Sequence, residues 1–317
     1  MAKQNSQHAN ATTPVTPAAT EEQPLVHVPS GGAVMAADFS EFEQDAPETF
    51  TKDDLALPFI SIIQANSPEL KKQQEDKFIP GARVGDLFHG ITRRFWPGFA
   101  DDGRTPPVTP DKAGLLALVV RYTPSYTQWW PRDSKLGKGF VKDWGANSDI
   151  MNSTSKDPEV NGIANPKGLP MLPDGTYIQD AALYYLLWVD RTTGEFGWGL
   201  ASMKSTQRKK ARAWNSLRQD LKVPKAGGGF FKPAPYFFNY VLTTSFESND
   251  QGDWYGYKID LNVGTDKKPI YTINLPEGRA IYNAAKEFDE MIGRGAVKID
   301  HQSQGDAPNE PTHDDKF

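Results

Sequence analysis

Four runs of β-branched and aromatic residues constrain this chain more than any other feature. They are "GLLALVVRYT" (114–123), "AALYYLLWVD" (181–190), "YFFNYVLTTSFE" (236–247) and "WYGYKIDL" (254–261). Such residues suit a pleated, buried surface, and clusters of Pro, Gly, Asp and Asn bound each run, so each predicts a strand. "RTTGEFGWGLAS" adds a turn at Thr193–Gly194 and a strand through Trp198 and Leu200. "ESNDQGDW" predicts a hairpin turn, and a weaker strand covers "ARVGDLFHGI". Two segments carry helical signals instead. "KSTQRKKARAWNSLRQDL" runs up to Pro224 and the glycines at 227–229. "PEGRAIYNAAKEFDEMIG" opens at Pro276 and closes at Gly293, with Ile281, Ala285, Phe288 and Ile292 at helical spacing.

The order of elements predicts a mainly β, α+β fold that ends in a helix. A small OB-like barrel also places a helix between its third and fourth strands. Residues 124–180, rich in Pro, Gly, Asn and Asp, then read as a long loop insertion, a feature that is often functional. Order is expected to begin near "LALPFISIIQANSPEL", with its apolar residues Leu57, Phe59, Ile60, Ile62 and Ile63.

Charge is segregated along the chain. The 317 residues carry a net −5, yet residues 1–54 hold two lysines against nine acids and residues 300–317 hold Lys316 against five. The arms are therefore −7 and −4, which leaves +6 on residues 55–299. Neither arm has enough to bury to offset its chain entropy. They are expected to be disordered acidic arms around one OB-like domain, 55–299. The absence of cysteine excludes disulfides, iron–sulfur clusters and thiolate zinc sites. No run approaches the roughly 18 apolar residues of a membrane span, and the N-terminus lacks the apolar core of a secretory signal. A soluble, cytoplasmic protein is expected.

Two segments could carry binding chemistry. From Lys204 to Lys225, both included, stand eight basic residues and one acid, Asp220. At about 100° per residue, Met203, Trp214, Leu217 and Leu221 share a narrow face. Lys204, Arg208, Arg212, Arg218 and Lys222 fall on an adjoining one, with Lys209 further round. Charge runs are usually solvated faces, but such faces mix signs for i,i+4 pairing and this one hardly does. A row of cations suits a phosphate backbone, because each neutralised phosphate releases a counterion.

The second segment is "VRYTPSYTQWWPRDSKLGKGFVKDW". Tyr122, Tyr126, Trp129, Trp130 and Trp144 alternate with Arg121, Arg132, Lys135, Lys138 and Lys142. Aromatic rings that stack on bases, interleaved with cations, make a sequence-tolerant single-strand surface. The plainer reading is a hydrophobic cluster that pins a long loop. Adjacent tryptophans are hard to bury together, so one of Trp129 and Trp130 is expected to face a partner. Trp254 and Tyr255 must point to opposite faces of their strand. Tyr255 joins the candidate set, although alternation alone does not choose between them.

Catalytic constellations are sparse. No GxxxxGK[ST] occurs, and four of the five histidines lie in the arms, leaving His89, read as structural. Asp180, Asp190 and Glu195 sit at strand and turn ends and form the weak case for a metal-dependent nuclease or recombinase. No metal, cofactor or catalytic residue is expected.

"MKSTQRKKARAWNSL" and "LTTSFESNDQGDWYGY" resemble the core of a family of bacteriophage single-stranded DNA-binding proteins. The resemblance implies an OB-like core acting in phage replication or recombination, in the host cytoplasm. It also implies an acidic tail whose terminal aromatic docks onto replication enzymes. "THDDKF" is similar to that tail through Asp314, Asp315 and Phe317, though with few acids and with Lys316 beside the tip. The implied partners are single-stranded DNA and replication or recombination proteins, with no membrane; a homo-oligomer is compatible with this. A virion or assembly protein, its aromatic loop packed against other subunits, is the competing expectation. If the acidic arm competes with DNA for the +6 body, deleting residues 300–317 should tighten oligonucleotide binding. Screening over about 10 Å at 0.1 M salt should confine the gain to low salt. Titrations of the whole and truncated proteins at several salt concentrations test this, and equal low-salt affinities would rule it out.

Overall fold

The apolar runs pair into one long sheet whose central strands are covered on both faces. The structure, a computed structural model, describes residues 57–299 except 75, 101–102 and 250–251. Both acidic arms, and with them Asp314, Asp315 and Phe317, lie outside the described residues. The strands are β1 (Ile60–Ile62), β2 (Leu87–His89), β3 (Phe95–Trp96), β4 (Leu115–Trp129) and β5 (Phe140–Asp143). Then come β6 (Glu159–Val160), β7 (Ile163–Ala164), β8 (Tyr177–Asp190) and β9 (Phe196–Lys204). Helix α1 (Gln207–Asp220) precedes β10 (Val223–Pro224), β11 (Phe230–Phe231), β12 (Tyr240–Asn249) and β13 (Gly252–Leu261), and α2 (Gly278–Gly293) closes the order. The main sheet runs β13-β12-β4-β8-β9, with β5 added to the far end of β4.

Leu115, Ala117, Val119, Tyr184 and Leu186 face a core shared with Ala211 and Trp214 of α1. Their sequence neighbours Leu116, Leu118, Val120, Leu183 and Leu187 face the opposite core, with Ile281, Ala285 and Phe288 of α2. Burial on both faces is why these strands read as unbroken apolar runs rather than as alternating ones. The ladder between β4 and β8 shifts register between Val119 and Arg121, so Arg121 pairs with Tyr185 and Tyr122 with Tyr184. The bulge resets which residues of β4 face α1.

The α+β class is as expected, but the sheet does not close into an OB-like barrel. Its outer strands β9 and β13 are joined through the chain at 58–64. Leu200 donates its N–H to the Pro58 carbonyl at 2.8 Å, beside a parallel bridge between Phe59 and Leu200. At the other edge the Gln64 side chain donates to the Tyr255 carbonyl at 2.8 Å and accepts its N–H at 2.9 Å. The Tyr257 hydroxyl adds a bond to the Ile60 carbonyl. The strap thus satisfies backbone groups of Leu200 and Tyr255 on the two outer strands, and Gln207 and Lys210 of α1 take those of Tyr257. A second obstacle lies inside the sheet: β12 pairs with β4 only through Leu242, after which Thr244 bonds Gly98 instead. Gly98 has no room for a side chain, since a Cβ there would lie 1.8 Å from the Gly85 carbonyl.

The expected loop at 124–180 is shorter than its composition suggests. β4 continues through Trp129 and β8 begins at Tyr177. Pro124 is tolerated because β4 pairs there with β8 alone, so the missing N–H costs no second ladder bond. No helix among the described residues is long and apolar enough to cross a membrane. Gln64→Ala should leave both backbone groups of Tyr255 unpartnered and destabilise the protein by about 1–3 kcal/mol. Urea unfolding measures this, and an unchanged midpoint would show that the strap contributes nothing.

Candidate nucleic-acid interface

Helix α1 docks by the stripe that the sequence predicts. Ala211 and Trp214 are buried, Leu217 and Leu221 pack beside them, and Met203 meets them from β9. The Tyr184 ring stacks on Trp214 at 4.3 Å, and its hydroxyl donates to the Ala211 carbonyl at 3.0 Å. Docking divides the basic run. Lys210 turns to one flank, where it binds Glu247 and the Tyr257 carbonyl. Arg208 takes the other flank, its Nε 3.1 Å from Asp180. Lys209 and Arg212 are left exposed on the outer surface. Lys204 is not on the helix at all. It ends β9 opposite Ala181, and because Met203 faces α1, strand alternation turns Lys204 to the other side. Ser205, with φ 48°, makes the turn between strand and helix.

The helix and β4 meet at this flank. Tyr126 pairs with Asp180 across the β4–β8 ladder and is half-buried. Burial raises the Tyr126 phenol above its usual pKa; Asp180 adds to the shift and Arg208 opposes it. Burial also raises the Asp180 carboxyl, against the pull of Arg208 and Arg212. Tyr126, Asp180, Arg208 and Arg212 therefore form one electrostatic cluster, drawn from three elements, β4, β8 and α1, that are separated in the chain.

Trp130 stands about 13 Å further along the direction of β4, at roughly 3.3 Å per residue. It is half-buried and rests on Gly137, where a Cβ would lie 2.4 Å from the ring. A cavity of about 360 Å³ opens between Trp130, Arg132 and Lys138. Lys135 is exposed on the same turn. Trp129 is a correction: it is buried, donates its indole N–H to Thr127 at 2.8 Å, and meets Phe140 edge-on at 5.4 Å. Pairing of β5 with the end of β4 covers it. Trp144 has its ring face occupied by Lys142, whose ammonium lies 3.6 Å from the centroid.

Three further candidates are engaged in packing. Arg121 is clamped to Asp289 of α2 at 2.7 Å, and Tyr122 packs on Tyr184 at 5.3 Å. Tyr255 stacks on Phe99 at 5.4 Å and meets the exposed Phe246 edge-on, while Trp254 is buried with its indole N–H on Glu247. The carboxylates weighed for a nuclease do not converge. Asp180 and Asp190 occupy opposite ends of β8, about 33 Å apart at the rise of a strand. Burial alone would raise the Asp190 carboxyl, but N–H groups of Thr193, Thr192 and Trp96 and the Arg94 charge hold it below the usual range. Glu195 also pairs with Arg94. Buried His89 accepts at Nδ1 from the Thr92 N–H at 3.1 Å, a structural role.

The β10–β11 hairpin is a feature that strand and charge patterns do not single out. Gly228 and Gly229, at φ 89° and 77°, turn its tip and project Phe230 and Phe231, which are 66% and 41% exposed. Lys225 and Lys232 flank them. Its signal lies in "KAGGGFFK": a glycine tip cannot bury two phenylalanines that follow it directly.

A family model of Pam3 phage gp34-like proteins matches residues 30–298. The chain belongs to this family. It is therefore a bacteriophage protein, and the match covers the whole described sheet, both helices and the Trp130 turn. No curated protein and no solved structure matches it. For this phage protein, Trp129→Ala should cost about 3–5 kcal/mol of stability, as removal of a buried aromatic does. Trp130→Ala should cost far less. Urea melts of the two variants check the assignment, and equal losses would contradict it.

Proposed function

We propose that this phage protein binds single-stranded DNA without catalysing a reaction, in phage replication or recombination. The observation that carries the reading is the meeting of α1 and β4. Arg208 and Arg212 come to lie around Asp180, the cross-strand partner of Tyr126, with Trp130, Arg132 and Lys138 further along the same strand direction. Cations would follow the backbone while Trp130 stacks on a base, an interaction worth about 1–3 kcal/mol. Phe230 and Phe231, exposed between Lys225 and Lys232, offer further rings for stacking. A positive domain with an aromatic strip suits a flexible strand better than a duplex, whose bases are already stacked.

Lys209 and Arg212 are exposed, so Lys209→Gln/Arg212→Gln should fold normally. The double variant should bind oligo(dT) more weakly, and its log–log salt slope should be shallower by about 0.7 for each phosphate that is no longer neutralised. Trp130→Ala should weaken binding with little change of slope. A wild-type protein that binds neither single nor double strands, yet self-associates, would replace this reading with that of an assembly subunit.

A further inference from the structure

A second concavity lies behind the helix, away from the Trp130 turn. It encloses about 480 Å³ between the C-terminal half of α1, the bulged part of β4 and the segment 232–235. That volume is in the range of small-molecule sites and is large for a bare ion. Its cations are Arg121, Arg218 and Lys232, and its one acid is Asp289, which Arg121 already binds. The lining therefore carries a formal charge of +2.

Arg218 is the distinctive member. Arg94, Arg104, Arg121 and Arg208 each face a carboxylate, whereas Arg218 forms no ion pair among the described residues. Its guanidinium donates to Asn215 at 3.1 Å and lies 6.0 Å from the Tyr184 ring centre. Its Nε is buried without an acceptor. Burial lowers its pKa, although not enough to discharge an arginine. A desolvated cation with an unused donor is unfavourable unless an anion completes it. Tyr122, Pro233 and Pro235 supply apolar wall beside it.

We propose that this cavity binds a phosphomonoester carried on a nucleoside, with the phosphoryl group at Arg218 and Lys232 and the flat base against Tyr122 and the prolines. A phosphomonoester carries about −1.5 to −2 at neutral pH. It therefore matches a +2 lining better than an internal phosphodiester with its single charge. The same chemistry is offered by a free mononucleotide and by the phosphorylated end of a DNA strand; the strand-end form rests on the DNA-binding reading above.

Isothermal titration of the full chain with thymidine 5′-monophosphate, thymidine and inorganic phosphate tests the cavity itself. Thymidine monophosphate should bind, and thymidine should not. Phosphate alone should bind at least tenfold more weakly than the nucleotide. Arg218→Gln should reduce nucleotide affinity at least tenfold. Lys232→Gln, at an exposed position, should reduce it several-fold and covers the case in which the first variant fails to fold. Oligo(dT) with and without a 5′-phosphate then separates the sources: a preference for the phosphorylated strand assigns the strand end, and equal affinities assign the free nucleotide. Nucleotide binding without oligonucleotide binding would support the cavity and remove the DNA-binding reading. Oligonucleotide binding with no nucleotide binding and no effect of the 5′-phosphate would overturn the cavity alone. Equal affinity for phosphate and nucleotide would overturn the nucleoside part of the proposal.

Discussion

The antiparallel ladder between β4 and β8 is the constraint on which the rest of the structure depends. It runs from the Leu115–Asp190 pair to the Trp129–Tyr177 pair, far longer than either helix that covers it. At the Leu115 end, α1 and α2 seal both faces with aliphatic and aromatic side chains. Beyond the bulge at Val119–Arg121 the apolar cover thins, and polar and aromatic side chains take over. The candidate interface occupies that overhang. A ladder of this length holds Tyr126 and the base of the Trp130 turn on a rigid support, because every residue of β4 except Val120 at the bulge has a partner on β8.

The basic run of α1 shows how a single-sign segment can serve two purposes. Lys210 and Arg208 hold the helix at its two flanks, through Glu247 and Asp180, while the buried stripe at Ala211 and Trp214 supplies most of the docking energy. Partly exposed ion pairs contribute little in themselves, on the order of 0–1 kcal/mol. They orient the helix more than they stabilise it. Orientation decides which cations remain for a partner: Lys209 and Arg212 outward, Arg218 into the cavity behind. Arg218 differs in kind, since its surroundings are phenol rings and an amide rather than a carboxylate.

Satisfaction of the sheet edges explains why the fold stops short of a barrel. Strap residues 58–64 meet β9 through the backbone and β13 through the Gln64 amide. A side-chain amide offers the same donor and acceptor pair as a peptide group. Gln64 can therefore stand in for one residue of a neighbouring strand. Leu200 and Tyr255 therefore have partners on the outer edges without closure of the sheet.

The sequence by itself determined the five principal strands of the main sheet, the two helices and the segregation of charge, because β-branched runs, helical spacing and net charge are local properties. Ile281, Ala285 and Phe288 were readable as the buried face of α2, and Trp214 as that of α1, from spacing alone. Only the tertiary structure decided which members of the aromatic and basic segments are free. Trp129 and Trp130 are chemically identical neighbours, yet β5 covers one and leaves the other beside a cavity. Lys204 and Arg208 look equivalent on a helical wheel, but Lys204 ends β9 and the helix begins only after the turn at Ser205. Arg121 is drawn to Asp289, a residue distant in sequence. Exposure and pairing are set by what packs across the sheet, and that depends on register, bulges and edge partners between segments far apart in the chain.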